Sequence, residues 1–145
     1  MYIGLLHLHN LLRWLILAIA LVALFKYFMG WFNQGKWHKS DHILGAVFTA
    51  LLDLQLLSGL VLYFFVSPLT KAAFRDFGAA MKNSDLRFYA VEHFTLMLIA
   101  VILVHIGRVR TKKAVNPKAK FSNSLVFFGI AYLIMLAAIP WGRML

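Results

Sequence analysis

The chain has 145 residues, 62% of them hydrophobic and 14% charged, and no cysteine. A soluble domain of this length is far less apolar, and without cysteine there is no structural disulfide, no cysteine-ligated iron–sulfur cluster, no thiol nucleophile and no covalent CxxCH haem. The net charge of +10 reads, in so apolar a chain, as attraction to anionic lipid and as positive-inside bias, and no nucleic-acid partner is expected.

Four stretches, at about residues 4–29, 41–66, 87–107 and 121–141, are predicted to cross the membrane. Each exceeds the ~20 residues that span about 30 Å of hydrocarbon. The first carries His7, His9 and Arg13. His9 and Arg13, four apart, share a face, which continues through Ile16, Ala20 and Ala23. Small residues there permit close approach of a neighbour or of a flat ligand. His7 points nearly the opposite way. Arg13 lies roughly 14 Å below the helix start, deep for a guanidinium even if its long stem snorkels. The span has no basic residues ahead of it and positive charge behind it, which predicts a retained span and not a cleaved signal.

A polar linker follows, with His38 in basic surroundings and Ser40-Asp41 as a cap for the second span. In that span His42, Gly45, Thr49 and Asp53 fall at spacings of three, four and four. They form one polar or small stripe, predicted to face the bundle interior, with Asp53 near the bilayer midplane. Ser67-Pro68 stops the helix. Over 69–81, Ala73, Phe74, Phe77, Ala80 and Met81 recur at helical spacing. This is either a short interfacial helix lidding the bundle or an ordinary connecting helix. Asn83-Ser84-Asp85 caps the third span, which holds Glu92, His93 and His105. Asn116-Pro117 breaks the chain before a fourth span without histidine. Tyr2, Trp31, Trp37, Tyr89 and Trp141 near span ends read as interface anchors.

Loops of about ten residues favour antiparallel neighbours. The prediction is an all-α, integral membrane, up-down four-helix bundle forming a single transmembrane domain over residues 1–145. Lys26, Lys36, Lys39, Arg108, Arg110, Lys112, Lys113, Lys118 and Lys120 lie on one side, against Lys71, Arg75, Lys82, Arg87 and Arg143 on the other. The positive-inside rule then places loops one and three in the cytoplasm and both termini outside.

Ionisable residues within membrane spans mark functional sites. His93 and His105 are 12 residues apart, hence about 18 Å along one helix and about 120° around it. They cannot share one groove. Depth pairs His93 with His9, or with His7, near the outer surface. It pairs His105 with His42 near the inner one. Each pair would suit axial ligation of a b-type haem, giving one or two haems. Arg13 is a partner for a haem propionate, or for Glu92 or Asp53. Asp53 and Glu92 are candidate proton carriers. A quinone could dock near Arg13, Asp53 or Glu92.

The segments MYIGLLHLHNLLRW, LQLLSGLVLYF, VEHFTLMLIAVILVHIGR and IPW resemble those of small four-helix bacterial membrane proteins labelled cytochrome b-like. The resemblance covers nearly the whole chain. It implies a respiratory haem-b protein with His7 or His9, and His93, at its centre.

Four functions are compatible with these residues: haem-based electron transfer in a respiratory or quinone-linked chain; a proton or cation relay through Asp53, Glu92, Arg13 and the histidines; a metal site built from His7, His9, Glu92 and His93; and an accessory subunit of a larger respiratory or redox membrane complex, or a homo-oligomer. No serine sits in a nucleophile motif, and no catalytic residue is assigned.

Overall fold

In the computed structural model the described residues are 1–141; residues 142–145, with Arg143 of the charge count, lie outside them. Four helices are long and apolar enough to cross a membrane: α1 (Tyr2–Phe32), α2 (Lys39–Val66), α5 (Ser84–Lys113) and α6 (Pro117–Ala138). Two short helices, α3 (Pro68–Arg75) and α4 (Phe77–Ala80), join α2 to α5. The helices alternate in direction, so the bundle is up-down. The start of α1 and the end of α6 lie at one end. The seam between α5 and α6 is the most extensive, α1 packs on α2 and α6, and the α2–α5 seam is the sparsest.

The sequence signals account for most boundaries. Ser67 and Asn83 cap α3 and α5 by accepting backbone N–H bonds, and Asn116 does so ahead of Pro117, as side-chain oxygens do for otherwise unpartnered first-turn N–H groups. α2 starts earlier than the Ser40-Asp41 signal. His38 is its N-cap, and Asp41, in the first turn, accepts from His38 N at 2.8 Å. α5 runs further than predicted, on to Lys113. Arg and Lys are good helix formers, and cations suit a helix C-terminus.

The predicted helix over 69–81 is two helices. Asp76 leaves the helical conformation between them and its carboxylate accepts from Ala79 N, a local bond that competes with continuation of the helix. Ala73 and Ala80 are buried against Ala90 of α5, so this segment folds over the terminal end of the bundle.

The end remote from the termini is filled by aromatic rings. Tyr27, Phe48, Phe121 and Phe128 are buried together, with Tyr27 stacked on Trp37 at 5.6 Å and Phe48 set 5.2 Å from Phe128. Tyr27 Oη donates to Asp41 O at 2.9 Å, tying α1 to the start of α2. Tyr27→Phe should keep the ring packing and lose only this bond. The expected loss is about 1 kcal/mol, read from unfolding of the detergent-solubilised protein.

Candidate functional site: two imidazoles facing one cavity

The terminal end is built differently. A cavity of about 210 Å³ is lined by His9, Asn10 and Arg13 of α1, Leu52 of α2, and His93 and Met97 of α5. Leu69 and Thr70 of α3 and Pro140 also border it. The lining is mostly apolar with a few placed polar groups, the usual make-up of a cofactor site.

Two π-turns flank the cavity, Leu62–Val66 at the end of α2 and Phe88–Glu92 within α5. Each inserts a residue into the helical repeat, and such turns recur at functional sites. They are tied together: Tyr63 Oη donates to Ala90 O at 2.6 Å and Thr70 Oγ1 donates to Tyr63 O at 2.7 Å. The second π-turn ends at His93, whose N–H bonds Phe88 O, so it sets the rotation of His93 into the bundle.

The His9 and His93 rings are 6.5 Å apart between centroids, at 71°. Each is held by its Nδ1. His93 Nδ1 lies 2.7 Å from Ala138 O. A carbonyl only accepts, so Nδ1 carries the proton. That carbonyl is in the last turn of α6, where no intrahelical donor remains. His9 Nδ1 lies 2.9 Å from Ser58 Oγ. Ser58 gives its own proton to Gln55 O at 2.8 Å, so it accepts from His9 Nδ1–H. A hydroxyl has one proton to donate and two lone pairs. The network therefore puts both histidines in the Nδ1–H tautomer, with the Nε2 lone pairs bare.

The backbone makes room for this arrangement. A Cβ on Gly59 would lie 3.2 Å from His9 Cε1, so a side chain there would press on the ring. Gln55 Nε2 donates to His9 O at 2.8 Å and fixes the α1 backbone at the same level. Below the rings, Arg13 is buried, with Nη1 3.3 Å from Asn10 Oδ1 and its guanidinium over the Trp14 ring at 5.0 Å. At the foot of α6, Pro140 brings no N–H, and Trp141 Nε1 donates to Leu136 O instead, at 2.8 Å.

The expected pairing of His9 with His93 is thus what the fold brings together. The other predicted residues are placed differently. His7 is exposed and outside the cavity. Glu92, expected to pair with Arg13 or act as a proton carrier, accepts from Arg87 Nε at 2.8 Å on the perimeter. The π-turn aligns residues five apart, and that brings these two together. The stripe His42, Gly45, Thr49, Asp53 was expected to face inwards as a whole, but only Gly45 and Thr49 are buried, and His42 and Asp53 are exposed.

The expected inner pair, His42 with His105, does not form. His105 Nε2 lies 2.6 Å from Asp53 Oδ1, across the α2–α5 seam. Asp53 is 11 residues from His42, or about 16 Å along α2. The cause is the extension of α5, which puts His105 more than two turns from its helix end instead of within one. Among the described residues no cluster of three or more His, Asp or Glu could hold a metal ion, so the four-residue set of His7, His9, Glu92 and His93 is not assembled. No known protein family, no curated protein and no solved structure matches the chain.

Proposed function

We propose that this protein is a membrane-embedded b-type haem protein in which His9 and His93 would hold one haem, serving electron transfer in a respiratory or quinone-linked chain. The observation that carries the reading is the pair of bare Nε2 lone pairs edging one cavity. Neither Nε2 carries a proton, so the rings cannot bond to each other. A Lewis acid between them would satisfy both lone pairs. The two ring centroids lie 6.5 Å apart, and an iron held by both histidines would sit between them.

Two protein ligands alone hold a bare ion poorly, and the absence of a three-ligand cluster among the described residues makes a simple metal site the weaker reading. Haem would bring nitrogen donors of its own, so that His9 and His93 would suffice to hold it. When bound, it supplies a one-electron couple in the membrane. The chain's own residues do the rest. Ser58 and Ala138 hold the imidazoles in the ligating tautomer and raise their basicity. Leu52 and Met97 exclude water. Arg13, buried beside Asn10, provides a guanidinium suited to a carboxylate such as a propionate. With His42 remote from His105, the reading calls for one haem, not two.

One observation favours a role for the alternative, a proton relay. The Asp53–His105 dyad joins the middle of α2 to the last third of α5, with both side chains about half exposed, on a surface that faces lipid if the bundle stands alone. There it could accept protons from a hydroquinone in the bilayer. The excess of basic residues on loops one and three supports placing those loops in the cytoplasm of a bacterial inner membrane. Its small size fits an accessory subunit of a larger redox complex or a homo-oligomer.

The reduced-minus-oxidised spectrum of the purified protein, with a pyridine haemochrome count, tests this. Sharp b-type bands at one haem per chain are expected. A protein that stays colourless after expression with haem supplied would sink the reading. Ser58→Ala should leave the ligands in place and loosen their orientation. The expected weakening of haem affinity is about 10–100-fold, the usual effect of losing a partner behind a ligating histidine, measured by transfer of haem to an apo-acceptor.

A further inference from the structure

At the end remote from the haem-binding cavity, α2 lacks a Cβ where two other helices converge. One built on Gly45 would lie 2.9 Å from Tyr27 Oη and 3.0 Å from Arg108 Nη1. The Arg108 guanidinium of α5 fills the space this glycine leaves, and the residue is only 8% exposed. Burying a cation is costly unless an anion or acceptor meets it. Among the described residues no carboxylate pairs with it: the Asp41 carboxylate takes Lys26 Nζ at 3.2 Å and His38 N at 2.8 Å, and the Asp53 carboxylate takes His105. The Tyr27 hydroxyl, which donates to Asp41 O, lies beside the guanidinium and offers it a lone pair but no charge.

The neighbouring charges are cationic apart from Asp41, which Lys26 pairs. His42 of α2 lies within the electrostatic reach of Arg108, Lys112 and Lys120, so three helices bring cations to one place. Lys120 Nζ also donates to Thr111 O at 3.0 Å, which pins it over the end of α5. His42 and Lys112 are exposed, so the cluster opens outwards. His42 and Arg108 fall within about 8 Å of the ends of their helices, the level of lipid headgroups in a spanning bundle.

We propose that Arg108, His42, Lys112 and Lys120 form a binding site for a phosphate ester, the headgroup phosphate of an anionic glycerophospholipid. A guanidinium fork matches two phosphate oxygens. The lysines add point charge, and an imidazole N–H adds a donor. Gly45 is the opening that lets the fork lie flat beside α2. The site is separate from the haem ligands and does not depend on haem being bound.

Full-length protein in a neutral detergent is titrated with phosphatidylglycerol or with phosphatidylcholine, and retained lipid is read by native mass spectrometry. Preferential retention of phosphatidylglycerol is expected. Arg108→Gln should weaken it about fivefold, the share one basic residue contributes at a charged membrane surface. Should that variant not fold, Lys112→Gln combined with His42→Gln, both exposed, should reduce retention by a similar factor. Equal retention of the two lipids overturns the site, as does wild-type retention in the folded Arg108→Gln variant or in the double variant. Inorganic phosphate is the third arm. If millimolar phosphate binds the lipid-free protein and phosphatidylglycerol gains no retention over phosphatidylcholine, the ligand is a soluble phosphate and the lipid assignment falls.

Discussion

His93→Ala protein should purify without a b-type spectrum, with the haemochrome count falling from one per chain to less than about a tenth of that. The alanine removes one proposed iron ligand and the hydrogen bond to Ala138 O, and among the described lining residues the thioethers of Met97 and Met135 are weaker donors than an imidazole. The bond to Ala138 O makes the variant's stability a necessary control. His93→Gln retains a side chain that can donate to that carbonyl, and should fold as the wild type does while remaining colourless. His9→Ala is expected to behave differently in degree. It removes the ligand held by Ser58 but leaves His93 anchored, so residual haem should be five-coordinate, high-spin and open to carbon monoxide. A His93→Gln protein with wild-type bands would show that His93 does not ligate iron. The pairing with His9 would then need another explanation.

The single-span logic of the chain was legible without coordinates. Four apolar stretches, the stop at Ser67-Pro68, the cap at Asn83 and the break at Asn116-Pro117 mark the elements that form, because hydrophobic length and cap chemistry act locally. The His9–His93 pairing was also legible, since depth along antiparallel helices can be counted at about 1.5 Å per residue. What failed was every inference that needed a helix's true end or its rotation. The basic run after Gly107 looks like a loop, but it continues α5 to Lys113, and that displaces His105 from His42 to Asp53. The π-turns at Leu62–Val66 and Phe88–Glu92 leave no pattern in the residues, yet they set the rotation of His93 and bring Glu92 to Arg87. Ser58 was missed as the partner of His9, although Gln55 and Ser58 three apart, with Gly59 beside them, are an unusual polar and small patch on an apolar helix. The anchor at Ala138 O could not be read at all, because any residue supplies a backbone carbonyl. Its only trace is the Ile139-Pro140-Trp141 ending, where the helix stops and frees its last acceptors.

His105→Leu is the second substitution with a large expected effect. His105 and Asp53 are joined at 2.6 Å with their side chains 50% and 47% exposed, and they bridge the sparsest seam of the bundle. Removing the imidazole leaves Asp53 facing hydrocarbon without its partner. An aspartate at a helix centre costs about 3 kcal/mol to insert, so His105→Leu should destabilise the folded protein by about that much. Asp53→Leu should cost less, because a lone histidine can stay neutral. The double variant Asp53→Leu, His105→Leu separates structure from function. Leucines suit a lipid-facing surface, and replacing a polar pair by apolar residues is often neutral or stabilising. Stability should therefore return to near the wild-type value while the haem spectrum is unchanged, since neither residue lines the cavity. If the dyad takes protons from a hydroquinone, the same double variant should lose most of its rate of haem reduction by a lipid-soluble hydroquinone and keep its reduction by dithionite. If hydroquinone reduces it at the wild-type rate, the dyad is only a clasp between α2 and α5, and the protons must leave by another route.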